Sequence, residues 1–113
     1  MSRRLVVLES PFRSRNETQV HRNISYARAC VRDCLLRHEA PIASHLLYTQ
    51  HDILDDDEPD ERRLGIQAGL SWTKVADATV VYIDHGISEG MLLGIFEAQE
   101  HGVPVEFRRL YND

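Results

Sequence analysis

The chain has 113 residues, 42% of them apolar, with a formal net charge of −5. That is enough for one domain with its own core, over residues 1–113, and it excludes a disordered tail. No apolar run approaches the roughly 18 residues of a membrane span, and the acidic total argues against a nucleic-acid surface.

The N-terminus reads "MSRRLVVLES". Its apolar part, Leu5 to Leu8, is too short for a secretory signal. Arg4 to Leu8 is therefore read as the first strand. "ESPFRSRNE" follows as a loop of turn formers. Asn16 to His38 reads as a long amphipathic helix, with Val20, Ile24, Ala27, Val31 and Leu35 on the face expected to be buried. Cys30 and Cys34 are the only cysteines. Four residues apart on a helix, their side chains stack along one face, which suits buried thiols better than a disulfide. A reducing, cytoplasmic location follows as the expectation.

"APIAS" at 40–44 is the expected second strand. The connection "HLLYTQHDILDDD" leaves room for a short helix. Pro59 sits where an N1 proline belongs, and the helix is expected to run to about Ala76, with Leu64, Ala68, Trp72 and Val75 inward. Residues 52–61 hold seven of the 18 carboxylates, and without them the net charge of −5 would become +2. This run reads as a solvated helix start or a flexible loop; calcium binding is the sharper alternative, and a partner-contacting surface is a further reading. Its spacing is not that of an EF-hand. By contrast, residues 1–37 hold eight arginines against Glu9, Glu17 and Asp33, compatible with an anionic ligand.

The third strand is Thr79 to Ile83. Ser88 can cap the next helix, with Met91, Ile95 and Ala98 on its inner stripe, and Gly102 ends it. "VPVEFRRL" is the last strand. Strands alternating with helices predict a flavodoxin-like α/β fold, a four-stranded parallel sheet of order 2-1-3-4 with helices on both faces.

In such a sheet ligands bind beyond the carboxyl ends of the strands, where the strand order reverses. The loops there are "ESPFR" at 9–13 and "DHGISEG" at 84–90. Phe12 could stack on a base and Arg13 could reach a phosphate. Gly86, Ser88 and Gly90 remove bulk at a helix N-terminus, which favours an anion or a sugar hydroxyl, and Asp84 could accept from hydroxyls. The same residues would also make an ordinary tight turn. Gly86 to Gly90 spells GxSxG, but the chain is too short for a hydrolase sheet. His45 and His51 lack a third metal ligand at any recognised spacing. His85 is a candidate acid or base, or a plain loop histidine.

"LVVLESPFR", the long helix and "WTKVADATVVYIDHGISEGMLLGIFEA" resemble the nucleoside 2-deoxyribosyltransferase-like superfamily. That group includes the deoxyribonucleoside 5′-monophosphate N-glycosidases. The chain looks closest to a small, uncharacterised branch found largely in phages and actinobacteria. The resemblance implies a nucleoside or nucleotide ligand, no cofactor, and a homo-oligomer. It places Ser10, Pro11, Phe12 and Arg13 on the nucleoside and Asp84 on the sugar or base. The enzymes use a glutamate, in a pattern like Gly-Met-Glu-Leu-Gly, as nucleophile toward the anomeric carbon. This chain reads Gly90-Met91-Leu92-Leu93-Gly94, so Leu92 stands in the glutamate's place. Leucine can neither attack a sugar nor stabilise an oxocarbenium charge. Glu9 and Glu89 are the two carboxylates positioned to substitute. The sequence thus points to a nucleotide-binding domain without fast turnover, with an enzyme using Glu9 or Glu89 as the alternative.

Overall fold

A computed structural model describes residues 3–111; residues 1–2 and 112–113 of the expected 1–113 domain lie outside them. Four parallel strands, β1 (Arg4–Glu9), β2 (Glu39–Ile42), β3 (Ala78–Tyr82) and β4 (Val105–Arg108), form one sheet in the order β2-β1-β3-β4. The helices are α1 (Glu17–Leu36), α2 (Ser44–Leu47), α3 (Pro59–Ser71) and α4 (Glu89–Glu100). β1 pairs with β3 from Val6↔Ala78 to Glu9↔Val81. These central strands carry the apolar runs, and all five residues of β3 are buried.

The alternation of side chains along the strands separates two layers. Val6, Leu8, Val80 and Tyr82 pack with Tyr26, Cys30 and Cys34 of α1. On the opposite face, Val81 packs with Met91 and Ile95 of α4. Both cysteines are free and buried. Polar groups cross the α1 layer in pairs. The Arg108 guanidinium donates to Glu39 at 2.6 and 2.7 Å, and both side chains are buried. Arg108 holds Glu39 below the usual carboxylate range, outweighing the opposing effect of burial.

Local signals set the helix ends. Asn16 caps α1 by accepting from the backbone N–H of Thr18. Pro59 stands at the start of α3 behind the Glu58 cap. Ser88 Oγ accepts from the Met91 N–H. Gly102 takes the left-handed conformation (φ 66°) after α4.

Two expected faces are out of phase. The buried residues of α1 are Asn23, Tyr26, Ala27, Cys30 and Cys34, while Leu35 is exposed. Polar bonds set this rotation: Asn23 donates to the Phe12 carbonyl and Tyr26 to Asp84. In α3, Leu64 faces outward and Gly69 inward. A β-carbon at Gly69 would overlap the Ser44 side chain, so the glycine lets α3 lie against α2. The helix stops at Ser71, and a 3₁₀ turn at Thr73–Val75 follows. Trp72 and Val75 are exposed, the Trp72 indole donating to Tyr48 Oη at 2.9 Å.

Candidate functional site

Sheet order reverses between β1 and β3, and beside that point lies a cavity of about 400 Å³. Its size suits a small ligand. The β1 loop lines it with Glu9, Ser10, Phe12 and Arg13, and the start of α4 with Ser88, Glu89, Gly90 and Met91. α2 and α3 close it with His45, Tyr48, Arg62 and Ile66 among others. A second cavity of about 760 Å³ shares Phe12 to Arg15 on its wall.

Glu9 ends β1 on the face covered by α4, and its carboxyl lies against Gly94. A β-carbon at Gly94 would overlap that carboxyl. No donor among the described residues reaches it, and burial pushes it up to about 8. The side chain is only partly buried by surface area, because the cavity mouth reaches it; the surrounding protein still removes most of its hydration. At neutral pH Glu9 is therefore mostly a neutral acid that can both donate and accept.

Its neighbour Ser10 is buried, with Oγ 2.7 Å from His45 Nε2. Burial pushes His45 down to about 4, so the imidazole is neutral at physiological pH. Phe12 meets the His45 ring edge-on, with centroids 6.2 Å apart. The Phe12 backbone is fixed by the Asn23 bond to its carbonyl (2.9 Å). Arg13 donates to the Asp56 carbonyl at 2.8 Å.

A family model, that of a domain of unknown function (DUF7768), matches residues 4–108. The chain belongs to the DUF7768 family. Its fold is also that of a solved 2-deoxyribosyltransferase from the psychrotolerant bacterium Bacillus psychrosaccharolyticus, described as a biocatalyst for synthesis of antiviral and antitumoral nucleosides. The two are 22% identical with a TM-score of 0.63, over 96% of this chain and 74% of that one. At that identity the likeness establishes the fold. No curated protein matches the sequence.

The structure brings together in the DUF7768 cavity most of the residues that the sequence singled out, but not all. Glu9, Ser10, Phe12, Arg13, Ser88, Glu89 and Gly90 line it, whereas Pro11, Asp84 and Gly86 do not. Asp84 accepts from Tyr26 Oη at 2.5 Å and from the backbone N–H groups of Leu110 and Tyr111. Burial alone would raise Asp84; these bonds outweigh it and hold the carboxyl below its usual range. It thus ties the end of β3 to the C-terminal segment. Gly86 serves the turn itself, at φ 84°. His85 packs on the Tyr26 ring. His51 is exposed beside Asp52, whereas His45 is engaged with Ser10. Leu92 lies outside the cavity lining and is 39% exposed. The helix turns that position away, and Met91 and Leu93 line the cavity instead.

Sequence reasoning missed the α3 wall. The four-residue spacing of Gly65 and Gly69 was the available signal, since small residues on one helix face mark a close approach. It also missed Arg62, which reaches Asp56 at 3.2 Å.

Two outcomes follow. Glu9 ionises near 4.5 in the unfolded chain and near 8 when folded. Between those values the folded state binds more protons, so Glu9 makes stability fall as pH rises through the window, by at most about 1.4 kcal/mol per pH unit. Urea unfolding of Glu9→Gln across that window is expected to lose this decline; an unaltered pH profile would show that Glu9 titrates normally. Gly94→Ala is expected to destabilise by about 1–3 kcal/mol through overpacking. In a Glu9→Ala background the same change should become neutral or stabilising, since alanine is the better helix former by about 1 kcal/mol. Equal effects in both backgrounds would refute the close approach.

Proposed function

We propose that the cavity binds a nucleoside or nucleotide, and that the protein is a binding domain of the deoxyribosyltransferase-like fold without fast turnover. The observation that carries this is the Glu9 carboxyl, enclosed with no donor among the described residues, in a cavity whose other walls include aromatic, hydroxylic and cationic groups. A buried polar group without a partner is costly, and a ligand edge that both donates and accepts would complete it. Phe12 offers the flat apolar surface on which a base packs. Ser10, Ser88 and the N–H groups at the start of α4 offer bonds to sugar hydroxyls or an anion. The 2-deoxyribosyltransferase activity of the solved structural neighbour supports the same ligand class.

The enzymatic reading rests on the same carboxyl. Ionised Glu9 would attack the anomeric carbon as the C–N bond breaks, the base leaving with the bonding electrons and taking up a proton. Water would then hydrolyse the glycosyl ester. A carboxyl mostly protonated at neutral pH is a poor nucleophile, which favours binding over turnover. Glu89 is exposed in the first turn of α4, where an acid also suits the helix dipole.

The acidic 52–61 run supports the interaction reading less well. Asp56 and Glu61 turn onto the cavity wall, and Glu58 caps α3. A cytoplasmic location fits the two free thiols. Among the described residues, no helix is long and apolar enough to cross a membrane.

The test is a panel of deoxynucleosides and their 5′-monophosphates, read by melting-temperature shift and by chromatography of free base. A thermal shift without base release is expected, weakened by Phe12→Ala. Base release that Glu9→Gln abolishes would establish the enzyme instead, and silence in both assays would refute the ligand class.

Leu92 and Phe96 lie one turn apart on α4 and are both exposed, a stripe that a homo-oligomer interface would cover. Light scattering is expected to report a dimer or larger assembly that Phe96→Glu weakens. A wild-type monomer at micromolar concentration would overturn this.

A further inference from the structure

Arg13, Arg62 and Asp56 all line the cavity, and both guanidiniums converge on the one acid. Arg62 Nη1 stands 3.2 and 3.3 Å from the two carboxylate oxygens of Asp56. Arg13 Nη1 donates to the Asp56 carbonyl at 2.8 Å and lies 3.7 Å from its carboxylate. Arg15 lines the same wall, with no carboxylate within ion-pair distance among the described residues. Arg13 and Arg62 thus share one carboxylate, that of Asp56, which comes from a neighbouring loop.

We infer that Arg13 and Arg62 form the subsite for a phosphate group of the ligand, and that Asp56 occupies it as an internal competitor. The inference rests on the reading of the cavity as a nucleotide site and narrows it to phosphorylated ligands. A guanidinium binds carboxylate and phosphate oxygens through the same donor geometry, and phosphate brings the larger charge. The Asp56 pairs are part-exposed (Arg13 side chain 50%, Arg62 31%, Asp56 22%), so solvent screens them and a dianion can displace them.

The loop is built so that Asp56 can leave without unfolding it. The Asp55 side chain accepts from the Asp57 N–H, and Glu61 accepts from the Asp55 N–H. The Leu54 N–H donates to the Tyr48 carbonyl. None of these bonds uses the Asp56 side chain. Phosphate binding is therefore weaker than the two arginines alone would give, and entry of phosphate frees Asp56.

Calorimetric titration with inorganic pyrophosphate at low ionic strength tests this on the full chain, alongside a deoxynucleoside and its 5′-monophosphate. Asp56→Asn is expected to tighten pyrophosphate and the monophosphate about tenfold and to leave the unphosphorylated nucleoside unchanged; Arg62→Gln is expected to abolish the preference for phosphate. Asp56→Ser serves the same purpose if the Asn variant does not fold. Unchanged or weaker pyrophosphate binding on removal of the carboxylate would overturn the inference. If the nucleoside binds while pyrophosphate is indifferent to Asp56, the competitor is refuted and the nucleoside reading stands. If pyrophosphate tightens while no nucleoside binds, the anion subsite stands and the nucleotide reading fails.

Discussion

The structure around the cavity depends on the close approach of α4 to the end of β1, which Gly94 permits. A β-carbon there would overlap the Glu9 carboxyl as it now lies, and one of the two would have to move. Because the helix lies so close, the Glu9 carboxyl is enclosed where protein displaces water but supplies no donor. The cost of that desolvation appears as a raised proton affinity rather than as a bond. The nucleoside reading of the site rests on this polar group, which the fold itself leaves incomplete.

The remaining walls of the cavity show the opposite economy. Ser10 and His45 satisfy one another, Asn23 fixes the Phe12 loop, and Asp56 meets two arginines. Asp84, outside the cavity lining, is satisfied in the same way. It stands at a strand end beside a glycine turn, where a ligand-binding acid was expected, yet it accepts from a tyrosine and two backbone N–H groups. Two carboxylates at the ends of adjacent parallel strands therefore have different fates. Asp84 lies on the α1 side, where Tyr26 and the C-terminal segment provide donors. Glu9 lies on the α4 side, where the adjoining helix presents a glycine.

The substitution of Leu92 for a glutamate reads differently once the helix is placed. In the sequence it looks like the loss of a nucleophile from a conventional site. In the structure that position is turned away from the cavity, while Glu9 faces into it. The first strand thus brings a carboxyl, that of Glu9, to the cavity, beside Glu89 at the start of α4.

The sequence by itself determined the elements and their order. The apolar runs of β1 and β3, the Asn16 and Ser88 caps, Pro59 and Gly102 are local signals, and parallel strands joined by helices leave few topologies. It also singled out the β1 loop and the start of α4, which line the cavity. What it could not determine was which side of each helix and loop faces inward. On α1, Asn23 and Tyr26 outrank Leu35 because their polar groups find partners only after folding. On α3, Gly69 rather than Leu64 faces inward, because the Ser44 side chain of α2 lies too near for a β-carbon, and Trp72, just beyond the helix, is exposed. The pairing of Arg13 and Arg62 with Asp56 joins residues 43 and six positions apart, respectively, at one cavity wall. Periodicity reports how apolar a face is; only tertiary structure decides whether a polar group on it meets a partner, a ligand or water.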